Sequence, residues 1–172
     1  LVVWAKTNAG MGSLYRSRHE LILVFKCGTA PHTNNVQLGR HGRYRSNVWT
    51  YPGANSFGAS RQRDLEDHPT VKPVALLADA ICDVSKPGDI VLDCFGGAGS
   101  TLLAAQRVGR RARLVEIDPG YVDVTIRRWQ RMTGKMAVNA LTGMTFPELA
   151  ALRAANLGEN GASQTAAFPA QE

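Results

Sequence analysis

One segment of this 172-residue chain limits its fold more than any other: residues 89–108, DIVLDCFGGAGSTLLAAQRV. A short apolar run, a glycine-rich turn and apolar residues at helical spacing follow one another. This order predicts a buried strand over 89–95, a tight loop at 96–99 and a helix from Ser100 to Val108. Such a loop, between a strand and a helix N-terminus, is where α/β sheets bind nucleotides.

The neighbouring sequence continues the alternation of helix and strand. Apolar spacing predicts a helix over 73–84 and a second buried strand over 112–117. Pro119, typical of a first helical turn, opens a helix that is expected to end near Thr133, with Gly134 as its stop. This order predicts parallel strands joined by crossover helices.

Outside this region the signals are shorter. Two apolar runs, 1–6 and 19–26, are expected to be buried strands. Residues 136–138 are compatible with one more short strand, and 146–155 with a helix. Residues 156–172 are poor in apolar side chains and are expected to be disordered.

The charge of +6 is unevenly distributed. Residues 1–63 contain nine Lys or Arg against one acid, Glu20, whereas residues 64–172 contain eleven against thirteen acids. A basic surface confined to one part of a chain favours a polyanionic partner such as nucleic acid. The alternative is a solvated face of an otherwise neutral protein.

Composition limits the class of protein. Hydrophobic residues make up 44% and charged residues 20%, which excludes a largely disordered chain. The longest apolar run, 21–25, is far shorter than the roughly 20 residues that cross a bilayer. Cys27, Cys82 and Cys94 form no CxxC pair, and the histidines have no ligand spacing with them. We therefore expect reduced thiols, a cytoplasmic location, no membrane partner and no metal site.

Three kinds of nucleotide ligand compete for the glycine loop. A phosphate-binding P-loop needs a Gly-Lys-Ser/Thr ending, which the loop does not have. A dinucleotide fingerprint needs a third glycine or alanine where Leu102 stands, although Gly97 and Gly99 fit its first two positions. S-adenosylmethionine is the third candidate, and a strand–turn–helix without any ligand is the fourth interpretation.

Acidic residues favour the third candidate. Asp93 ends the first strand, where it can accept a hydrogen bond from the ammonium group of S-adenosylmethionine. Glu116 ends the next strand, within reach of ribose hydroxyls, and Asp118 follows close to the adenine. Carboxylates attract a sulfonium ligand and repel a pyrophosphate.

Four segments together resemble one family. DCFGGAGST at 93–101 resembles the D-x-F-x-G-x-G motif of DNA amino-methyltransferases, which modify adenine N6 or cytosine N4. HPTVKP at 68–73 resembles the H-P-T-x-K-P motif that precedes it, and VEIDPGYVDVTIRRW at 115–129 resembles the segment that follows. KTNAGMGSLYRSRHE at 6–20 is similar to the region after the family's catalytic motif. The resemblance covers roughly residues 1–145.

The resemblance implies a Rossmann-like, S-adenosylmethionine-dependent α/β methyltransferase fold. In this family the motif around Lys72 lies against the methionine end of the cofactor, and the acid matching Glu116 binds its ribose. The implied cofactor-binding residues are Asp93, Phe95, Gly97, Gly99, Thr101, Glu116, Asp118, Thr70 and Lys72.

The order of the motifs resembles the permuted β class, in which the catalytic half comes first. Residues 1–27 would then end the catalytic half, 28–67 would recognise the target, 68–145 would bind the cofactor, and 146–172 would form a helix and tail. The implied partner is double-stranded DNA with a flipped target base. The candidate DNA contacts are Lys6, Arg16, Arg18, Arg40, Arg43 and Arg45.

The family's catalytic motif, Asp/Asn/Ser-Pro-Pro-aromatic, is not found in the sequence. Asp118-Pro119-Gly120-Tyr121 comes nearest, but it lies where the family has its ribose-binding segment. We therefore assign no catalytic residue and expect the motif upstream of Leu1. The chain is expected to be a fragment with an incomplete central sheet, able to hold the cofactor but not to transfer its methyl group.

The complete enzyme implied by the resemblance is a site-specific DNA methyltransferase of the restriction–modification type, with adenine N6 the favoured target. Two alternatives stay open. One is a non-catalytic DNA-binding remnant that uses the basic first third of the chain. The other is a methyltransferase that acts on RNA or on a small molecule.

Overall fold

The computed structural model describes residues 1–40, 44–53 and 71–164, the stretch 156–164 by its backbone alone. Two compact units divide the chain, Leu1–Trp129 and Gln130–Glu172. The strands are β1 Val2–Lys6, β2 His19–Ile22, β3 Val48–Tyr51, β4 Ile90–Asp93 and β5 Arg111–Leu114. The helices are α1 Val74–Val84, α2 Ser100–Arg107, α3 Pro119–Thr133 and α4 Phe146–Gln164.

The first sheet has β1 at its centre. β2 pairs with β1 in antiparallel fashion and β3 pairs with it in parallel fashion, in the order β2-β1-β3. Trp4 lies opposite Glu20 on one side and opposite Trp49 on the other, and it is buried. The Trp4 indole Nε1 donates a hydrogen bond to the Tyr51 carbonyl at 3.0 Å, which satisfies its polar atom inside the sheet.

The expected buried strand over 19–26 is wrong in both length and burial. β2 ends at Ile22, and Leu21 and Phe25 are 59% and 84% exposed. In the register of the pair, Ile22 lies opposite Val2, the first residue of β1. Residues 23–26 pair with no strand in the part of the chain that the structure describes, so their apolar character alone does not make them part of the sheet.

The second sheet pairs β4 with β5 in parallel, and α2 forms the connection between them. α2 packs against both β5 and α1. The core is formed by Leu76 and Ala78 of α1 and by Leu103, Ala104 and Ala105 of α2. Because alanine side chains are small, the helices can approach closely at these positions.

The strands predicted over 89–95 and 112–117 are shorter than expected and are not buried on both faces. Ile90 and Leu92 are 58% and 66% exposed, whereas Val91 and Asp93 alternate with them on the more covered face. Helix α2 packs against β5, and the side chains of both strands alternate between exposed and partly covered. The strands therefore alternate in burial, as half-covered strands do.

The α/β fold class is confirmed. Parallel strands joined by a crossover helix carry the glycine loop, as the sequence predicts. Within the described residues β1 and β4 belong to separate sheets, which matches the expected incomplete central sheet. In the same residues no helix is both long and apolar enough to cross a membrane.

An asparagine attaches the segment before β3 to helix α1. The Asn35 side-chain amide donates to the carbonyls of Cys82 and Ser85, at 2.8 Å and 2.7 Å. Its backbone N–H donates to the Asp83 carbonyl at 2.9 Å. Carbonyls in the last turn of a helix lack helical partners. Asn35 supplies hydrogen-bond donors to them and so caps the C-terminal end of α1, although it lies far from that helix in the sequence.

The second unit contains a capped helix. Thr145 donates to the Glu148 carboxylate through both its backbone N–H and its hydroxyl, each at 2.7 Å. These two hydrogen bonds lower the pKa of Glu148. Helix α4 continues from Phe146 to Gln164, beyond the predicted end at residue 155. The short strand considered at 136–138 is only a single bridge between Val138 and Thr145.

The core of α2 supplies a stability test. Leu103 is 6% exposed, so Leu103→Ala should lower the free energy of unfolding by about 2–4 kcal/mol. Leu92 is 66% exposed, so Leu92→Ala should change it by at most about 0.5 kcal/mol. Urea unfolding followed by circular dichroism measures both values. Equal costs for the two variants would contradict the core described above.

Candidate functional site

The site begins where β4 ends. The Asp93 carboxylate accepts the backbone N–H of Phe95 at Oδ1, 3.0 Å, and the hydroxyl of Thr101 at Oδ2, 2.6 Å. One side chain thus joins the end of the strand to the first turn of α2. A carboxylate can accept about four hydrogen bonds, so Asp93 retains acceptor capacity for a ligand.

Glu116 joins the loops that follow the two parallel strands. Its Oε2 accepts the backbone N–H of Gly97 at 2.6 Å, and its Oε1 accepts the backbone N–H of Asp118 at 2.9 Å. Asp118 in turn accepts the N–H of Gly120 at 2.7 Å, where α3 begins. The predicted acids therefore lie on adjoining loops at one end of the sheet, and they shape these loops themselves.

Two glycines in the loop have positive φ angles, +51° at Gly97 and +77° at Gly99. Their surroundings differ. A Cβ at Gly97 would meet no atom within 4 Å, whereas a Cβ at Gly99 would lie 2.5 Å from Cγ2 of Thr125. Gly99 is therefore required for packing, and Gly97 leaves the backbone open for a ligand to approach.

Helix α3 holds the loop through two residues that the sequence analysis missed. The Thr125 hydroxyl donates to the Gly97 carbonyl at 2.9 Å, and the guanidinium of Arg128 donates to the Ala98 carbonyl. Arg128 is only 5% exposed. Their spacing of three residues places both on one helix face, which is the only sequence signal that could have suggested a shared partner.

A cavity of about 340 Å³ lies beside the loop. It falls within the range of roughly 300–1,000 Å³ usual for small-molecule sites. Five predicted cofactor residues line it: Lys72, Asp93, Phe95, Gly97 and Thr101. The Phe95 side chain is 91% exposed and so presents a free aromatic surface. Of the other predicted residues, Gly99, Glu116 and Asp118 support the adjoining loops, and Thr70 lies outside the described residues.

Lys72 reaches the cavity from a cluster of charges on the first sheet. Its Nζ lies 2.8 Å from one Glu20 oxygen, and the Lys6 Nζ lies 2.8 Å from the other. Both ammonium groups sit over the Trp4 ring, 5.6 Å and 5.1 Å from its centroid. Partial burial raises the pKa of Glu20, but the two lysines outweigh it, so the net pKa lies below its usual value.

The candidate DNA-contact residues differ in how many contacts they make within the chain. Arg16 donates to the carbonyls of Gly10 and Ala9, and Arg18 donates to that of Lys6, although both side chains are exposed. Arg40 is exposed on a turn, and Arg43 lies outside the described residues.

Arg45 is largely committed to the fold. Its Nε lies 2.7 Å from Asp83, and its guanidinium is 4.3 Å from the centre of the Trp49 ring. Nearby, Tyr51 donates to Asp79, and burial together with this carboxylate raises the pKa of Tyr51. Burial also raises the pKa of Asp83, and the Arg45 charge opposes that shift. These contacts tie β3 and its preceding segment to α1.

In the described ranges, no group of three or more His, Cys, Asp or Glu side chains is arranged to hold a metal ion.

The two loop glycines make a matched pair for mutation. Gly97→Ala and Gly99→Ala both place alanine at a positive φ, which costs about 1–2 kcal/mol. Only Gly99→Ala also drives a Cβ into Thr125, so it should lower the free energy of unfolding by about 2 kcal/mol more than Gly97→Ala. Urea titrations of both variants measure this difference. A Gly97→Ala cost as large as that of Gly99→Ala would disprove the packing role of Gly99.

Comparison with known proteins places this geometry in a family. The DNA methylase family model matches residues 1–127. The chain is 34% identical over 137 residues to type II methyltransferase M.HinfI of Haemophilus influenzae, covering 74% of this chain and 38% of that protein. It is 38% identical over 95 residues to DNA adenine methyltransferase YhdJ of Escherichia coli strain K12, covering 55% and 31%. The chain thus spans about a third of the length of each of these two relatives.

A solved structure supports the same assignment. The crystal structure of an M1.HpyAVI–SAM complex superposes with a TM-score of 0.57 and 26% sequence identity, covering 74% of this chain and 60% of that one. The family model covers most of the chain, including both parallel strands and the glycine loop between them. The chain belongs to the DNA methylase family of N6- and N4-amino-methyltransferases.

Proposed function

We propose that this chain binds S-adenosylmethionine in the cavity beside the glycine loop and forms the cofactor-binding part of a DNA amino-methyltransferase. This proposal rests on one observation: Asp93, Phe95 and Gly97 line the same cavity as Lys72. Residues 68–145 form the cofactor-binding segment in this proposal. Residues 28–67 form the target-recognition segment.

The chemistry of these groups fits the cofactor. The Asp93 carboxylate would accept a hydrogen bond from the ligand's ammonium group, and Glu116 would face its ribose hydroxyls. The exposed Phe95 ring offers an apolar surface, and the open space at Gly97 lets the ligand approach the backbone. The acids also attract the positive sulfonium, whereas they would repel a pyrophosphate.

S-adenosylmethionine supplies an activated methyl group, which an exocyclic amine of a DNA base can accept. We favour adenine N6, because one relative is named a DNA adenine methyltransferase. The target base would be flipped out of double-stranded DNA to reach the cavity. The three free cysteines suit a reducing cytoplasm as the place of action.

Cofactor binding is tested by titrating the full chain with S-adenosylmethionine in a calorimeter. Asp93→Asn and Glu116→Gln should each weaken binding by about 10- to 100-fold, because each removes a charge-assisted hydrogen bond. Asp89→Asn is the matched control. The Asp89 carboxylate accepts the Lys86 N–H at 2.7 Å in the turn before β4, and Asp89 does not line the cavity.

Unchanged affinity of Asp89→Asn, with weaker binding by the other two variants, supports the proposed site. Thermal melting of each variant shows whether a loss of binding comes from unfolding. Absence of heat with the wild-type chain at millimolar ligand would overturn the assignment of the cofactor.

DNA contact is a separate part of the proposal. We assign phosphate contacts to the exposed arginines of the basic first third, which are Arg40, the clearest example, Arg16 and Arg18. Lys6 and Arg45 are already paired with carboxylates, so we expect them to contribute less. A phosphate contact adds to affinity for any sequence and makes that affinity depend on salt.

Arg40→Ala and Arg45→Ala separate contact from structure. Arg40→Ala should weaken duplex binding and reduce the slope of log affinity against log salt by about one, with an unchanged melting temperature. Arg45→Ala should lower the melting temperature and leave that slope unchanged, because its partners are Asp83 and Trp49. Fluorescence anisotropy with a labelled duplex at several salt concentrations gives the slopes. The opposite pattern would reverse the two roles.

A further inference from the structure

We infer that Glu20 is a positioning residue that fixes Lys72 at the wall of the cofactor cavity. This inference rests on the proposed function, because its purpose is the binding of S-adenosylmethionine. It adds to that function a residue from the first sheet, outside both the glycine loop and the acids at the strand ends.

The contacts are direct. Glu20 lies on β2 opposite Trp4 of β1, so its carboxylate projects beside the buried indole. One carboxylate oxygen meets Lys72 and the other meets Lys6, both at 2.8 Å. The Trp4 ring below provides a second attraction for both ammonium groups, since a cation within about 6 Å of an aromatic centroid is stabilised.

Lys72 needs such a fixed point because of where it lies. Residues 71–73 have no regular secondary structure and lead directly into α1. Lys72 also lines the cavity together with Asp93 and Gly97. A flexible lysine on an irregular segment would lose side-chain entropy on binding a ligand. The ion pair with Glu20 restricts the Lys72 side chain before the ligand binds, so less entropy is lost in the binding step.

The charges of the cluster are suited to this role. Two ammonium groups and one carboxylate leave a net positive charge next to the cavity. The carboxylate of the ligand's methionine part would meet that charge, while Asp93 meets its ammonium group. Lys6 also pairs with Glu20 but does not line the cavity. It therefore neutralises the Glu20 charge without occupying space that the ligand needs.

The test uses the full chain in four variants: Glu20→Gln, Lys72→Gln, the double variant, and Asp123→Asn. Asp123 is the matched control, because it forms an exposed ion pair with Arg127 and its side chain is 37% exposed, as is that of Glu20. Melting curves establish that each variant is folded. Two measurements follow, one without and one with the ligand.

Without ligand, acylation of each lysine by an amine-reactive ester is followed by mass spectrometry. Loss of the Glu20 charge should free Lys72 and raise its acylation rate about 2- to 5-fold, the scale of an exposed ion pair, with no change in Asp123→Asn. An unchanged Lys72 rate in Glu20→Gln would overturn the positioning role, whether or not the chain binds the ligand.

With S-adenosylmethionine, calorimetry should show about 2- to 5-fold weaker binding by Glu20→Gln. The same substitution should cause no further loss in the Lys72→Gln background, because Glu20 acts through Lys72. An equal loss in both backgrounds would show a general structural effect and overturn the inference. Absence of binding by the wild-type chain would instead overturn the proposed function, and the acylation result would still decide whether Glu20 holds Lys72.

Discussion

The Glu116 carboxylate is the contact on which the geometry of the site depends. Parallel strands are joined only through a distant crossover, so their end loops have no covalent reason to keep a fixed separation. Beside the backbone hydrogen bond from Gly96 to Val115, Glu116 supplies a side-chain constraint, because its carboxylate accepts the N–H of Gly97 in one loop and that of Asp118 in the next. An acid that the sequence analysis assigned to the ribose of the ligand is therefore also a support of the loops around the site. Charge-assisted hydrogen bonds to backbone N–H groups are among the stronger ones that a protein can make.

Much of the second half of the first compact unit, Leu1–Trp129, was predictable, because its apolar spacing and its Gly and Pro positions indicate the same elements. Pro119 and Gly134 mark the ends of a helix that the structure places at Pro119–Thr133. The glycine loop lies between β4 and α2, as its sequence indicates. The length of β2 was not predictable in this way, because the apolar run over 19–26 does not specify which of its residues pair with β1. Register is a property of two strands, and a single run of residues does not contain it.

Thr125 and Arg128 were missed for a related reason. Each binds a backbone carbonyl of the glycine loop, and a carbonyl has no signature in the sequence. The cluster of Glu20 with Lys6 and Lys72 was likewise hidden, because its members come from three separate segments. The number of basic residues in the first third also overstated the positive charge that is available to bind a partner. Lys6 and Arg45 already face carboxylates of the same chain.

The tight fit between Gly99 and Thr125 has a consequence for how sequences of this kind can vary. Because the space for a Cβ at residue 99 is taken by the threonine side chain, the two positions form one unit of allowed change. A larger residue at 125 would press on the loop, and a smaller one would give up the hydrogen bond to Gly97. We therefore expect related chains to keep a small hydroxyl residue at 125 wherever glycine stands at 99. The residue allowed on the helix then depends on the conformation of a loop that is distant in the sequence.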